Sequence, residues 1–178
     1  MVNFEVMKKE SYLFIGLCLF LSVFMVSCGS EDEEPETDGM DPPDMPIMSE
    51  TVIWNGSSLT FQKAAGSDPS AAANQDRITD NVWITRGNDG GQIFNAFSES
   101  QANSASSPEG TLWALGTTDD IENLQFDRFR NALGKPKDRV NEDLVLLLVD
   151  DNIAIDVRIT AWPQGQVGGF TYVRSTEP

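Results

Sequence analysis

From Glu50 onward the chain alternates short apolar runs with clusters of Gly, Asn, Asp and Pro, a pattern of strands and tight turns. Thr51-Val52-Ile53-Trp54, then Asn55-Gly56, then Leu59-Thr60-Phe61 predicts a β-hairpin, because Asn-Gly tolerates the positive φ of a type I′ turn. Asn81–Arg86 is β-branched and aromatic and predicts a strand stopped by Gly87-Asn88-Asp89-Gly90-Gly91. Ile93–Phe97 and Thr111–Leu115 are two further short strands. Between them, residues 64–74 and 98–108 are small and polar and predict loops.

The clearest element is C-terminal. Leu144–Val149 is continuously apolar, as a strand buried on both faces would be, and Asp150-Asp151-Asn152 makes the turn. Ile153, Ile155, Val157, Ile159 and Ala161 then alternate with Ala154, Asp156, Arg158, Thr160 and Trp162, which puts Trp162 on the wet face. Pro163–Gly169 is a Gly-rich loop, and Phe170–Arg174 closes the sheet. One helix is predicted near 126–133: Phe126, Phe129, Ala132 and Leu133 recur at helical spacing, and Gly134 supplies the stop. About eight short strands and one short helix make an all-β fold, a β-sandwich or jelly roll over 51–178.

The N-terminal pattern differs. Lys8 and Lys9 precede an apolar run from Tyr12 to Val26, shorter than the roughly 20 residues a membrane-spanning helix needs. The run ends in Met25-Val26-Ser27-Cys28-Gly29, which resembles the lipobox of bacterial lipoproteins. That resemblance implies a signal peptide over 1–27, cleavage before Cys28, and lipid on the Cys28 thiol. Ser30-Glu31-Asp32-Glu33-Glu34 is similar to the acidic export signal of Bacteroidota lipoproteins, which implies an outer-membrane protein exposed on the cell surface. With Pro35, Pro42, Pro43 and Pro46, residues 28–50 have the composition of a disordered acidic tether.

Charge and missing residue types narrow the chemistry. The formal charge is −16; nine acidic residues and no basic ones lie between Gly29 and Glu50, against seventeen acidic and ten basic from Thr51 to Pro178. Such a chain repels phosphates, so nucleic acid is a poor partner. There is no His, which removes the usual general base and zinc ligand. The two cysteines are Cys18 and Cys28; the first leaves with a signal peptide and the second is consumed by lipid, leaving no thiolate nucleophile. These absences point to a binding or structural module and away from an enzyme.

Two body segments, Ile84–Ala96 (ITRGNDGGQIFNA) and Asp150–Thr176 (DDNIAIDVRITAWPQGQVGGFTYVRST), resemble blocks of an uncharacterised group of secreted bacterial β-domains. The resemblance implies a secreted β-domain and assigns no catalytic residue. Many members carry His where this chain has Leu146 or Leu147, so the resemblance places no chemistry there.

Three kinds of site are candidates. Calcium would draw on carboxylates such as Asp89, Asp150 and Asp151, with Asp119, Asp120 and Asp156 as further acids; the competing explanation is turn geometry. A carboxylate-dependent glycan hydrolase would need two acids about 5–10 Å apart, and Asp156 is the attractive member. Glycan binding would use Trp162 and Tyr172, with Arg86 and Arg174 at strand ends available to an anion. An envelope protein without any ligand is the third alternative.

Overall fold

The computed structural model describes residues 51–178, all within one compact unit. The proposed signal peptide, Cys28 and the acidic tether lie outside the described residues. Nine strands form two sheets. The larger contains β1 (Val52–Trp54), β2 (Leu59–Lys63), β6 (Thr111–Leu115), β7 (Leu144–Leu148), β8 (Ile153–Ala161) and β9 (Phe170–Arg174), in the order β2-β9-β8-β7-β6. The smaller is β3 (Asp76–Arg77), β4 (Trp83–Gly87) and β5 (Gly90–Asn95). All pairs are antiparallel except β1, which lies parallel to the first half of β8. The all-β, sandwich-like fold expected from the strand pattern is the fold observed.

One core fills the space between the sheets. Ile84 and Ile93 from the smaller sheet, with Ile78 and Val82 beside it, meet Trp113, Leu146, Ile155, Ile159 and Tyr172 from the larger. A second cluster covers part of the larger sheet's outer face, where Ala114, Val145, Leu147 and Ala154 pack under Ile121, Leu124 and Phe126. The uninterrupted apolarity of β7 follows: Leu144, Leu146 and Leu148 face the first core, while Val145 and Leu147 face the second. Each such buried side chain contributes about 1.5–3 kcal/mol.

Two local expectations are overturned. Residues 51–61 do not form a hairpin. β1 pairs with the first half of β8 and β2 pairs with the outer side of β9, so the two strands run in the same direction and do not touch as a hairpin would. The Asn55-Gly56 step crosses the chain just beyond β9, where Gly56 N–H donates to Thr176 O at 2.8 Å. A Cβ on Gly56 would lie 2.1 Å from Glu177 O. Glycine is needed there for close approach, and its φ is not in the left-handed region.

The predicted helix near 126–133 shrinks to α1 (Phe129–Leu133), ended by Gly134 at φ 67°. Asp127 is instead extended, exchanging backbone hydrogen bonds of 2.8 and 3.0 Å with Trp113. Phe126, Phe129 and Leu133 have helical spacing, yet Phe126 enters the outer cluster while the other two enter the central core. Pairing with β6 outweighs the propensity of a helix this short.

Candidate functional site

The two Gly-rich segments meet. The β4–β5 turn (87–90) packs backbone against backbone on the 163–169 loop, and a Cβ on Gly168 would lie 1.7 Å from Gly87 O. Two buried cations fix this junction. Arg86 is 5% exposed; its Nε donates to Gly91 O at 2.8 Å, and its Nη1 donates to Gly169 O at 2.6 Å and Pro163 O at 3.3 Å. Lys63 Nζ donates to Ser67 O at 2.7 Å and Gly168 O at 3.3 Å. Among the described residues neither cation has a carboxylate within ion-pair distance. Burial lowers the pKa of Arg86 from its ordinary value. Lys63 is lowered first by burial and then by the charge of Arg86, with Asp68 acting the other way.

Beside this junction lies a cleft of about 360 Å³. Arg86, Gln92 and Trp162 form part of its wall, and Arg130, Lys135 and Lys137 line the side that follows α1. Its lining holds four cations and no carboxylate. Arg86 Nη2 has no partner among the described residues and is not fully buried. Gln92 is 4% exposed and spends both amide hydrogens on Asn103 O at 2.6 Å and Ser106 O at 2.9 Å. Its Oε1 is the one buried side-chain polar atom without a partner among the described residues.

Trp162 reaches this cleft by a change of phase. Strict alternation along β8 would turn it away from the isoleucines, but the register between β8 and β9 shifts between Ile159 and Ala161. The extra residue rotates the following side chains. Trp162 therefore packs on the central core, 6.1 Å from Phe129 and 6.0 Å from Phe170 by ring centroids. The Arg86 guanidinium lies 4.1 Å from its ring centroid, a cation–π contact. The wet-face placement is thus corrected, while Trp162 and Arg86 do come together.

Tyr172 and Arg174 are both buried, and their polar atoms are engaged within the protein, although Arg174 also borders a groove on the outer face of β8 and β9. The Tyr172 hydroxyl donates to Asp76 Oδ2 at 2.6 Å, Arg174 Nε donates to the same oxygen at 2.7 Å, and Arg174 Nη2 donates to Asp76 Oδ1 at 2.9 Å. The triad joins β3 of one sheet to β9 of the other. Burial, then the Asp76 carboxylate, raises the Tyr172 pKa well above its ordinary value. For Arg174 burial opposes the charge, but the hydrogen bond to Asp76 and its charge outweigh it, and the net shift is upward.

The calcium candidates do not converge: among the described residues no three acidic, His or Cys side chains could hold one ion. Asp89 sits in the β4–β5 turn, whereas Asp150 and Asp151 sit in the β7–β8 turn. Asp151 accepts from Thr79 Oγ1 at 2.8 Å and Asn81 Nδ2 at 3.3 Å, which pins the approach to β4. Asp120 accepts from Asn123 Nδ2 at 2.5 Å within its own short 3-10 helix, Thr118–Asn123, which also carries Asp119.

A larger groove of about 650 Å³ runs over the outer face of β8 and β9 and includes Asp143 and Asp156. Both carboxylates are engaged. Asp156 accepts from Thr118 N and Thr118 Oγ1, each at 2.8 Å, and Asp143 is ion-paired with Arg158.

Sequence reasoning overlooked a further exposed cluster. Trp83 meets Phe97 edge-on at 5.3 Å, Phe97 is 52% exposed, and Arg77 lies 4.0 Å from the Trp83 ring centroid. The two-residue strand that carries Arg77 is too short to announce itself in sequence. Arg130, Lys135 and Lys137 were overlooked for another reason, since only the fold brings the 130–137 segment to Arg86.

No protein family matches the chain, and neither a curated protein nor a solved structure gives a significant match.

Proposed function

We propose that this chain is a surface-tethered bacterial lipoprotein whose β-sandwich binds an extracellular glycan without transforming it. The address rests on Lys8-Lys9, the 12–26 apolar run and the Ser27-Cys28 junction. One chain end would carry two or three acyl groups, enough for stable membrane attachment. The observation that carries the binding role is the cleft beside the Gly-rich junction. It is a concave site on a rigid scaffold, with an indole in its wall and a few fixed polar groups, the usual composition of a ligand pocket. Its lining includes no carboxylate to serve as nucleophile or general base, which favours binding over hydrolysis.

A glycan array probed with the purified full chain in detergent tests the role, with expected retention of at least one glycan class and no loss of that glycan on long incubation. Cleavage of the bound glycan would favour the hydrolase reading. Labelling cells with an alkyne fatty acid tests the address, and label on a Cys28→Ala variant would contradict it.

A further inference from the structure

We propose that the cleft bounded by Arg86, Trp162, Arg130, Lys135 and Lys137 is an acidic-glycan site, taking a carboxylated or sulfated sugar whose hydroxyls supply hydrogen-bond donors. The inference rests on the binding role proposed above and specifies the chemistry of that site.

Charge is the first argument. Acidic residues outnumber basic ones seventeen to ten over residues 51–178, yet four of the ten basic residues share this one lining and no acid joins them. The Arg130 and Lys135 side chains have no hydrogen-bond or ion-pair partner among the described residues, and the Lys137 ammonium has only Asp138 at 4.0 Å and Gln164 Oε1 at 3.4 Å. Cations held together without counter-charge repel one another, and an arriving anion removes that cost.

Preorganisation is the second. Arg86 is locked by three carbonyl hydrogen bonds and stacked on Trp162, so its guanidinium is already ordered before a ligand binds. The same contacts leave Nη2 with donors to offer, in the planar geometry that suits carboxylate and sulfate oxygens.

Gln92 is the third. Its two amide hydrogens are committed to the 98–108 loop, and its Oε1 lacks a donor. Gln92 lines the cleft beside the cations, and a bare anion brings only acceptors to that wall, whereas a sugar also brings hydroxyl donors. The cleft, at about 360 Å³, is at the small end of ligand sites, which run from about 300 to 1,000 Å³. That size suits one or two sugar rings.

The test is calorimetric titration of the full chain in detergent with four probes: oligogalacturonate, a chondroitin sulfate oligosaccharide, a neutral maltooligosaccharide and sodium sulfate. Arg130→Glu and Lys135→Glu alter exposed side chains without partners, so the fold is retained, and circular dichroism checks this. The expected result is binding of an acidic oligosaccharide, weakened about tenfold or more by each reversal and weakened by added salt. Tight binding of the neutral sugar, unchanged by either reversal, would overturn the acidic-glycan assignment while sparing the binding role. Acidic-sugar binding indifferent to both variants would overturn the site. Sodium sulfate bound as tightly as the acidic sugars would overturn the hydroxyl requirement. If none of the oligosaccharides binds, this inference fails, and the glycan array decides separately whether the broader role fails with it.

Discussion

Asp76 is 6% exposed and takes three hydrogen bonds from Tyr172 and Arg174, which makes Asp76→Asn a severe test of what holds the two sheets together. The amide keeps the shape of the carboxylate but has one acceptor where there were two. Arg174 is left as a buried cation without a counter-charge. Removing one partner of a buried pair costs about 3–5 kcal/mol, mostly from the charge that remains. A domain of this size has about 5–15 kcal/mol of total stability, so the single change consumes a large share of it. At roughly 3–5 °C per kcal/mol for this length, the thermal midpoint should fall by about 10–25 °C.

The assay is urea and thermal unfolding followed by tryptophan fluorescence, with Asp76→Leu/Tyr172→Phe/Arg174→Met as the companion variant. Replacing both charges and the hydroxyl that bonds them by apolar groups removes the desolvation cost along with the attraction and leaves no buried polar group unpaired, so the triple variant should be clearly more stable than Asp76→Asn. A loss below about 1 kcal/mol for Asp76→Asn, or a triple variant no better than the single, would refute this account of the inter-sheet link.

Three further outcomes follow from the same structure. Tyr172 is the one tyrosine in residues 51–178, and its raised pKa has a definite sign. Below the ordinary tyrosine pKa both folded and unfolded forms hold the proton and the stabilisation is complete. Above about pH 10 the unfolded chain releases it while the folded chain retains it, so stability should fall by up to about 1.4 kcal/mol per pH unit. Tyr172→Phe should remove that component, and equal alkaline slopes in the two proteins would contradict it. Gly168→Ala would put a Cβ 1.7 Å from Gly87 O at a φ of 66°; a loss of about 3 kcal/mol is expected in urea unfolding, and an unchanged midpoint would speak against the close approach. Asn95 is 2% exposed, donates to Asn81 O at 2.7 Å and Glu109 O at 3.0 Å, and accepts from Trp83 N and Phe97 N. Asn95→Ala should cost about 2–4 kcal/mol, and hydrogen exchange should show the Trp83 and Phe97 amides losing protection.

What could be read from sequence was what local pattern decides. Leu144–Leu148 and Ile153–Ala161 were legible because apolar runs and period-two alternation belong to the strands themselves. Phe170–Arg174 and Thr111–Leu115 likewise match their expected bounds. The failures share a different cause. Asn55-Gly56 carries a turn signature, but its conformation is set by Thr176 and Glu177, more than a hundred residues away. Phe126 shares a helical period with Phe129, yet the pairing of its neighbour Asp127 with Trp113 keeps it out of the helix and in another cluster.

The site shows the same division. Arg86 and Trp162 were legible as candidates through residue type. Their meeting depends on a bulge in β8 that alternation cannot foresee. Tyr172 and Arg174 are candidates by residue type, and nothing in sequence reveals their link to Asp76, which is carried by a two-residue strand. The cleft's cations are scattered between positions 86 and 137, and only the packing of α1 and the Gly-rich junction gathers them.

The most direct test of the binding account is to locate the ligand on the protein, by following amide and indole resonances of the ¹⁵N-labelled full chain during titration with oligogalacturonate. Concentration-dependent shifts should centre on the Trp162 indole N–H, the Gln92 side-chain amide and the backbone of 130–137. Shifts gathered instead at Trp83 and Phe97, or along the Asp143–Asp156 groove with Trp162 still, would contradict it.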